Sequence, residues 1–169
     1  SIAQLVILLA LAFALRAYTF GDPNLFIDDA FYFAAGNAMH AGALPYVDVW
    51  DRKPFGLFAL YWLIAGVSTS PAAYQIAATL CAALTAWVIG RIAALWSDWS
   101  GALAAGIAYL FLLAPFQGFG GQTPVFYNLL IAIAALLVAR STTAPSEGKG
   151  ATALPLAMFS AGLAITIKT

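Results

Sequence analysis

Five of the seven acidic residues of this chain, Asp22, Asp28, Asp29, Asp48 and Asp51, fall within residues 21–53, and the basic pair Arg52 and Lys53 closes the same stretch. Carboxylates can take a proton from a hydroxyl, bind sugar hydroxyls or hold a hard cation. An Arg–Lys pair can meet a phosphate, where negative charge grows as a leaving group departs. Tyr32, Tyr46 and Trp50 are interleaved with these charges. This interval is where chemistry is expected, and the rest of the chain must hold it in place.

That remainder is almost without charge. The hydrophobic fraction is 63% and the charged fraction 8%, against about 45–50% and about 25% in soluble proteins. Charge-free intervals run over 54–90, 99–139 and 150–167. At roughly 20 residues per transmembrane helix, the first two have room for two spans each and the third for one. A soluble domain with so little surface charge would not stay dispersed, so the sequence reads as an integral membrane protein. A net charge of zero offers no basic face for nucleic acid. The single cysteine, Cys81, lies in an apolar run. It excludes an intramolecular disulfide and reads as a small core residue.

The expected fold is an all-α polytopic bundle with spans at 2–20, 54–67, 71–96, 101–115, 125–139 and 151–167, and an external loop over 21–53. Arg16, with Tyr18 and Phe20 beside it, is expected to snorkel to the interface at the end of the first span. A signal peptide would have an apolar region of similar length, but no small-residue cleavage site follows. Within the loop, Asp28 reads as the N-cap of an interfacial helix over 30–41 whose exposed face is apolar, through Phe31, Phe33 and Met39. Gly42 is expected to end it. Residues 44–46 then turn the chain back, 47–51 are extended, and Pro54 takes the first position of the next helix. Asp22 before Pro23 reads as a turn residue, His40 as interfacial, and Arg91 and Arg140 as helix-end anchors. Lys168 reads as an intramembrane cation facing a polar cavity. With no initiator Met and an end inside an apolar run, the sequence reads as the N-terminal piece of a longer protein whose C-terminal remainder is missing.

Charge and topology conflict. If all six runs cross, loops 21–53, 97–100 and 140–150 share one side, which then holds Arg52, Lys53, Arg140 and Lys149, while the opposite loops hold no Lys or Arg. The positive-inside rule would place the acidic loop in the cytoplasm. Either Arg52 and Lys53 are functional and do not count toward orientation, or one apolar run does not cross fully. The glycine-rich break at 118–121 is the expected place for such a broken element.

Two segments carry a family resemblance: Phe26-Ile27-Asp28-Asp29-Ala30-Phe31-Tyr32, and Gly42-Ala43-Leu44-Pro45-Tyr46-Val47-Asp48-Val49-Trp50-Asp51-Arg52-Lys53-Pro54. Together they resemble the first external loop of the GT-C-fold glycosyltransferases that use polyprenyl-phosphate sugars, such as protein O-mannosyltransferases and lipid A aminoarabinose transferases. In that family an acidic pair, usually Asp-Glu, follows the first transmembrane helix. A stretch like Tyr-x-Asp-x-Trp-Asp-x-Lys-Pro-Pro comes later. The ending Gly162-Leu163-Ala164-Ile165-Thr166-Ile167-Lys168 is similar to the family's Gly-x-Ala-x-x-x-Lys helix. Asp29 stands where Glu is commoner and Phe55 where a second Pro is usual, which implies a divergent subfamily.

The resemblance implies an inverting membrane glycosyltransferase of the cell envelope. It would be multi-pass in the inner membrane, with its active-site loop facing the periplasm or exterior. The donor would be a polyprenyl-phosphate or polyprenyl-diphosphate sugar, and the acceptor a lipid, glycan or protein. Asp28 or Asp29 fits the general base, and Lys53 with Arg52 fits the donor phosphate. Asp48 and Asp51 fit sugar binding or support of a possible divalent cation, and Tyr32, Tyr46 and Trp50 the substrate path. A transporter or channel, or a non-catalytic membrane assembly subunit, would account for the helices but not for this clustering of acids, aromatics and Lys-Pro in one loop.

Overall fold

Helix α1 (Ile2–Arg16) begins on a capping box: the Ser1 hydroxyl accepts from the Gln4 amide, and the Gln4 side chain accepts from the Ser1 amino group. A short 3₁₀ turn over Ala17–Thr19 continues it. Six more helices follow: α2 (Ile27–His40), α3 (Phe55–Ala65), α4 (Ala72–Ala93), α5 (Trp99–Leu113), α6 (Thr123–Thr143) and α7 (Lys149–Ile167). The computed structural model describes residues 1–24, 27–143 and 149–168; among these the regular structure is helical, with a lone bridge between Pro45 and Val49 and no strand. Three stretches, Ile2–Thr19, Ala72–Ala93 and Thr123–Thr143, are long and apolar enough to cross a membrane.

Small residues set the packing. Alanines of α4 (Ala78, Ala82, Ala83, Ala86) are fully buried beside α1 and α5. A methyl group placed on Gly90 or Gly106 would lie 2.7 or 2.8 Å from a backbone oxygen of the facing helix. Where lipid gives helices no hydrophobic reason to associate, such close approach supplies the attraction.

The contacts also give each helix a direction. Trp99, at the start of α5, bonds Ser1 and Gln4 at the start of α1. The far end of α1 meets the segment after α5, through Arg16 and Gly118. Helix α4 starts beside Gly21 and Asp22, which bond Gln75, and ends beside Ala102. Ser160 of α7 donates to the Leu130 carbonyl of α6, and Thr166 packs on Gly56. Helices α1, α4, α5, α6 and α7 therefore run between a loop face and an opposite face.

Helix α3 does not. Eleven residues rise about 16 Å, half of a hydrocarbon core of about 30 Å. Its start lies beside Asp28 through Lys53, and the chain leaving it enters α4 beside Asp22, so both ends lie on the loop face. The run at 54–67, expected as a span, forms a shorter apolar helix, Phe55–Ala65, paired with α2. It packs against α2, and Gly36 permits the contact: a methyl group there would sit 2.6 Å from the Tyr61 carbonyl oxygen. The residues at 114–122 form turns on the loop face and connect two through-running helices, so the helix that stays at one face of the bundle is α3.

Smaller expectations also shift. Helix α2 begins at Ile27, so Asp28 and Asp29 lie in its first turn rather than at its cap; residues 25 and 26 lie outside the described residues. Pro54 is extended at the cap of α3, one residue before the position expected. Phe33 and Met39 face inward, Phe33 against Tyr74, and Phe31 alone of the three is exposed. Gly42 (φ +98°) does end α2, with Ala43 donating to Ala38 and Gly42 to Met39. Residues 46–48 are a turn rather than extended chain, closed by Tyr46 donating to the Val49 carbonyl at 2.7 Å.

Candidate functional site

The loop over 41–54 folds back across α2, because α2 and α3 run side by side in the same direction and the chain must return to start α3. This brings the two ends of the polar interval together. Lys53 Nζ lies 3.7 Å from Asp28 Oδ2 and 5.2 Å from the centre of the Tyr32 ring, a cation–π distance. The Tyr32 hydroxyl donates to Asp51 Oδ2. The Tyr46 hydroxyl donates to the Lys53 carbonyl at 2.7 Å, and its ring meets Phe58 edge-on. The Lys53 side chain is thus 15% exposed, while that of Asp28 is 68% exposed.

The two adjacent carboxylates have different surroundings. Asp29 is 3% exposed. It accepts from the Gly121 amide at 2.7 Å and from Gln122 Nε2 at 3.0 Å. Burial raises its carboxyl to about 7; the Gly121 amide opposes that shift and the Asp28 charge adds to it. Asp51 lies below its ordinary range, chiefly because it accepts from Tyr32. The Tyr32 hydroxyl is raised by burial and then by Asp51.

Of the expected site residues, Asp28, Asp29, Tyr32, Tyr46, Asp51 and Lys53 gather in one place. Tyr32 and Tyr46 act as braces: Tyr32 is buried and Tyr46 holds the Lys53 backbone. Asp48 accepts from the Leu44 amide at 2.8 Å and so caps its own turn. Arg52 is exposed, its amide donating to Asp51 at 2.5 Å, and Trp50 is 73% exposed. Asp22 is a turn residue, accepting from the Asn24 amide. His40 stacks on Trp62, and Lys168 is exposed at the end of α7. Among the described residues no group of three His, Cys, Asp or Glu side chains is placed to hold a metal ion.

The residues beneath the site were not anticipated. Arg16 is 5% exposed rather than snorkelling. Its guanidinium donates to Thr79 Oγ1 at 3.1 Å, to the Gly120 carbonyl at 2.7 Å and to the Gly118 carbonyl. Tyr61 donates to the Gly121 carbonyl at 2.7 Å. Gly121, whose added methyl group would lie 2.5 Å from the Tyr61 hydroxyl, is therefore held on its amide side by Asp29 and on its carbonyl side by Tyr61. The glycine-rich segment is a buried floor that links α1 to α2 and α3. Arg16, as the one charge in the first apolar run, and Gln75 and Gln122, as amides within apolar runs, were the available signals.

Among the described residues the molecule is thus all-helical, with three membrane-length apolar helices and an acidic, aromatic-braced loop at one face of the bundle. Comparison with protein-family models, with curated proteins and with solved structures returns no match.

Proposed function

We propose that this chain forms the catalytic face of a membrane glycosyltransferase that moves a sugar from a polyprenyl-phosphate donor to a hydroxyl acceptor with inversion. The observation that carries the reading is the juxtaposition of an exposed carboxylate, Asp28, with the braced cation Lys53, in the motif that resembles that family. In the reaction the acceptor oxygen attacks the anomeric carbon and its proton passes to Asp28. The bond from that carbon to the phosphate oxygen breaks, and the electron pair leaves with the phosphate beside Lys53. Asp29, with both oxygens engaged and almost no exposure, holds the glycine floor and is not the base.

The membrane topology proposed with it has five crossing helices, α1, α4, α5, α6 and α7, with α2 and α3 lying at the loop face. With Arg52 and Lys53 set aside as functional, this topology turns the charge count round: three basic residues remain at the opposite face and two, Arg16 and Lys168, at the loop face. Arg91 and Arg140 end α4 and α6 at the opposite face, and Lys149 begins α7 there. The loop face is then external and the opposite face cytoplasmic.

The test is transfer by purified protein in detergent, supplied with a polyprenyl-phosphate sugar. Asp28→Asn should slow the chemical step by about 10²–10⁴-fold. Lys53→Ala should both weaken donor use and slow transfer, since phosphate attraction acts in ground and transition states alike. Wild-type turnover in both folded variants would overturn the assignment.

A further inference from the structure

We propose that the Asp28–Lys53 contact is an interlock, in which the incoming donor phosphate displaces Asp28 from Lys53 and so releases the base only when donor is bound. This rests on the transferase reading above.

Three observations carry it. The contact at 3.7 Å is longer than a hydrogen bond, and an ion pair with an exposed partner is weakly held. The two partners are also unequally fixed. Lys53 is seated over Tyr32 and tied at its own carbonyl by Tyr46, whereas Asp28 stands 68% exposed on the outer side of α2. An anion arriving from solvent therefore moves the carboxylate and not the ammonium. Finally, neither neighbouring carboxylate is free to replace Asp28. Asp29 is bound to Gly121 and Gln122, and Asp51 to Tyr32 and the Arg52 amide.

A phosphate oxygen gives Lys53 a shorter, charge-assisted hydrogen bond in exchange. Asp28 Oδ2, which faces Lys53 in the resting state, is then unoccupied beside the sugar and can accept the proton of the acceptor hydroxyl. The order of events follows: donor first, acceptor activation second. Before donor arrives the carboxylate is engaged, so water is not activated in its place.

The experiment is equilibrium binding of farnesyl phosphate, a sugarless isoprenoid phosphate, to the purified protein in detergent. Asp28→Asn should bind it about two- to fivefold tighter than wild type, the range an exposed ion pair is worth. Lys53→Met, which keeps the apolar stem over Tyr32, should bind it more weakly. The double variant should bind no tighter than Lys53→Met alone, because the gain from Asp28→Asn exists only while Lys53 is there to be freed. An equal gain in both backgrounds would mean simple charge repulsion and would overturn the interlock, as would unchanged or weaker binding by Asp28→Asn. Phosphate binding without that gain removes the interlock and leaves the transferase reading standing. No binding by wild type or by Asp28→Asn removes both.

Discussion

At the end of the bundle where α1 begins, Ser1 and Gln4 cap α1, Asp98 caps α5, and Trp99 donates to the Ser1 hydroxyl. Asp98 accepts from Gly101 at the start of α5, and Gln4 donates to the Trp99 carbonyl. At the end where α1 stops, the ionisable groups of Arg16 and Asp29 are buried and joined through a glycine floor to a loop holding four more carboxylates. The groups at the capping end, Gln4 buried and the others exposed, are mostly neutral and satisfy backbone that would be bare in any helix. Buried charges carry a desolvation cost that capping does not require. The difference marks the loop end as the one shaped by something other than stability.

The strongest way to break that comparison is to remove Arg16. Arg16→Ala leaves two backbone carbonyls and Thr79 without their donor, and each buried group left unpaired costs about 1–3 kcal/mol. The expected loss is about 3 kcal/mol or more, read as lowered thermal stability in detergent. Gln4→Ala at the capping end should cost about 1 kcal/mol. Equal losses at the two ends would erase the distinction drawn here.

Asp29 sharpens it through pH. Its folded carboxyl is raised to about 7 from an ordinary value of 3.8, so folding favours the protonated form. The stability tied to this group is complete below the lower value and is lost as pH rises through the upper one. Wild-type protein should therefore melt lower at about pH 8 than at about pH 4, and Asp29→Asn should flatten that difference. An unchanged pH profile in the variant would place the dependence elsewhere.

The smallest contrast separates helix contact from helix surface. Gly36→Ala forces α2 away from the Tyr61 carbonyl and should destabilise by about 1–3 kcal/mol. Gly162 has nothing within 4 Å of an added methyl group. Alanine there should be neutral or stabilising by up to about 1 kcal/mol. Comparable melting shifts for the two would contradict the packing of α2 on α3.

Composition alone determined that the chain is helical and membrane-like, since long charge-free runs have few other ways to satisfy their backbone. The helix limits followed closely from Pro54, Pro71, Gly42 and the polar breaks. The gathering of Asp28, Asp51 and Lys53 was foreseeable because they share one short polar interval. Which apolar run stays at one face of the bundle was not, because α3 is as hydrophobic as its neighbours and only its length and the placement of both its ends distinguish it. Nor was the fate of Arg16 or Asp29: an arginine at a helix end snorkels or turns inward depending on whether acceptors wait for it. Those acceptors, Gly118 and Gly120, come from a segment 102 and 104 residues further along the chain. Local sequence sets the periodicity and the breaks of each element, but the choice between water and a buried partner for a charge is made by whatever the distant chain brings alongside it.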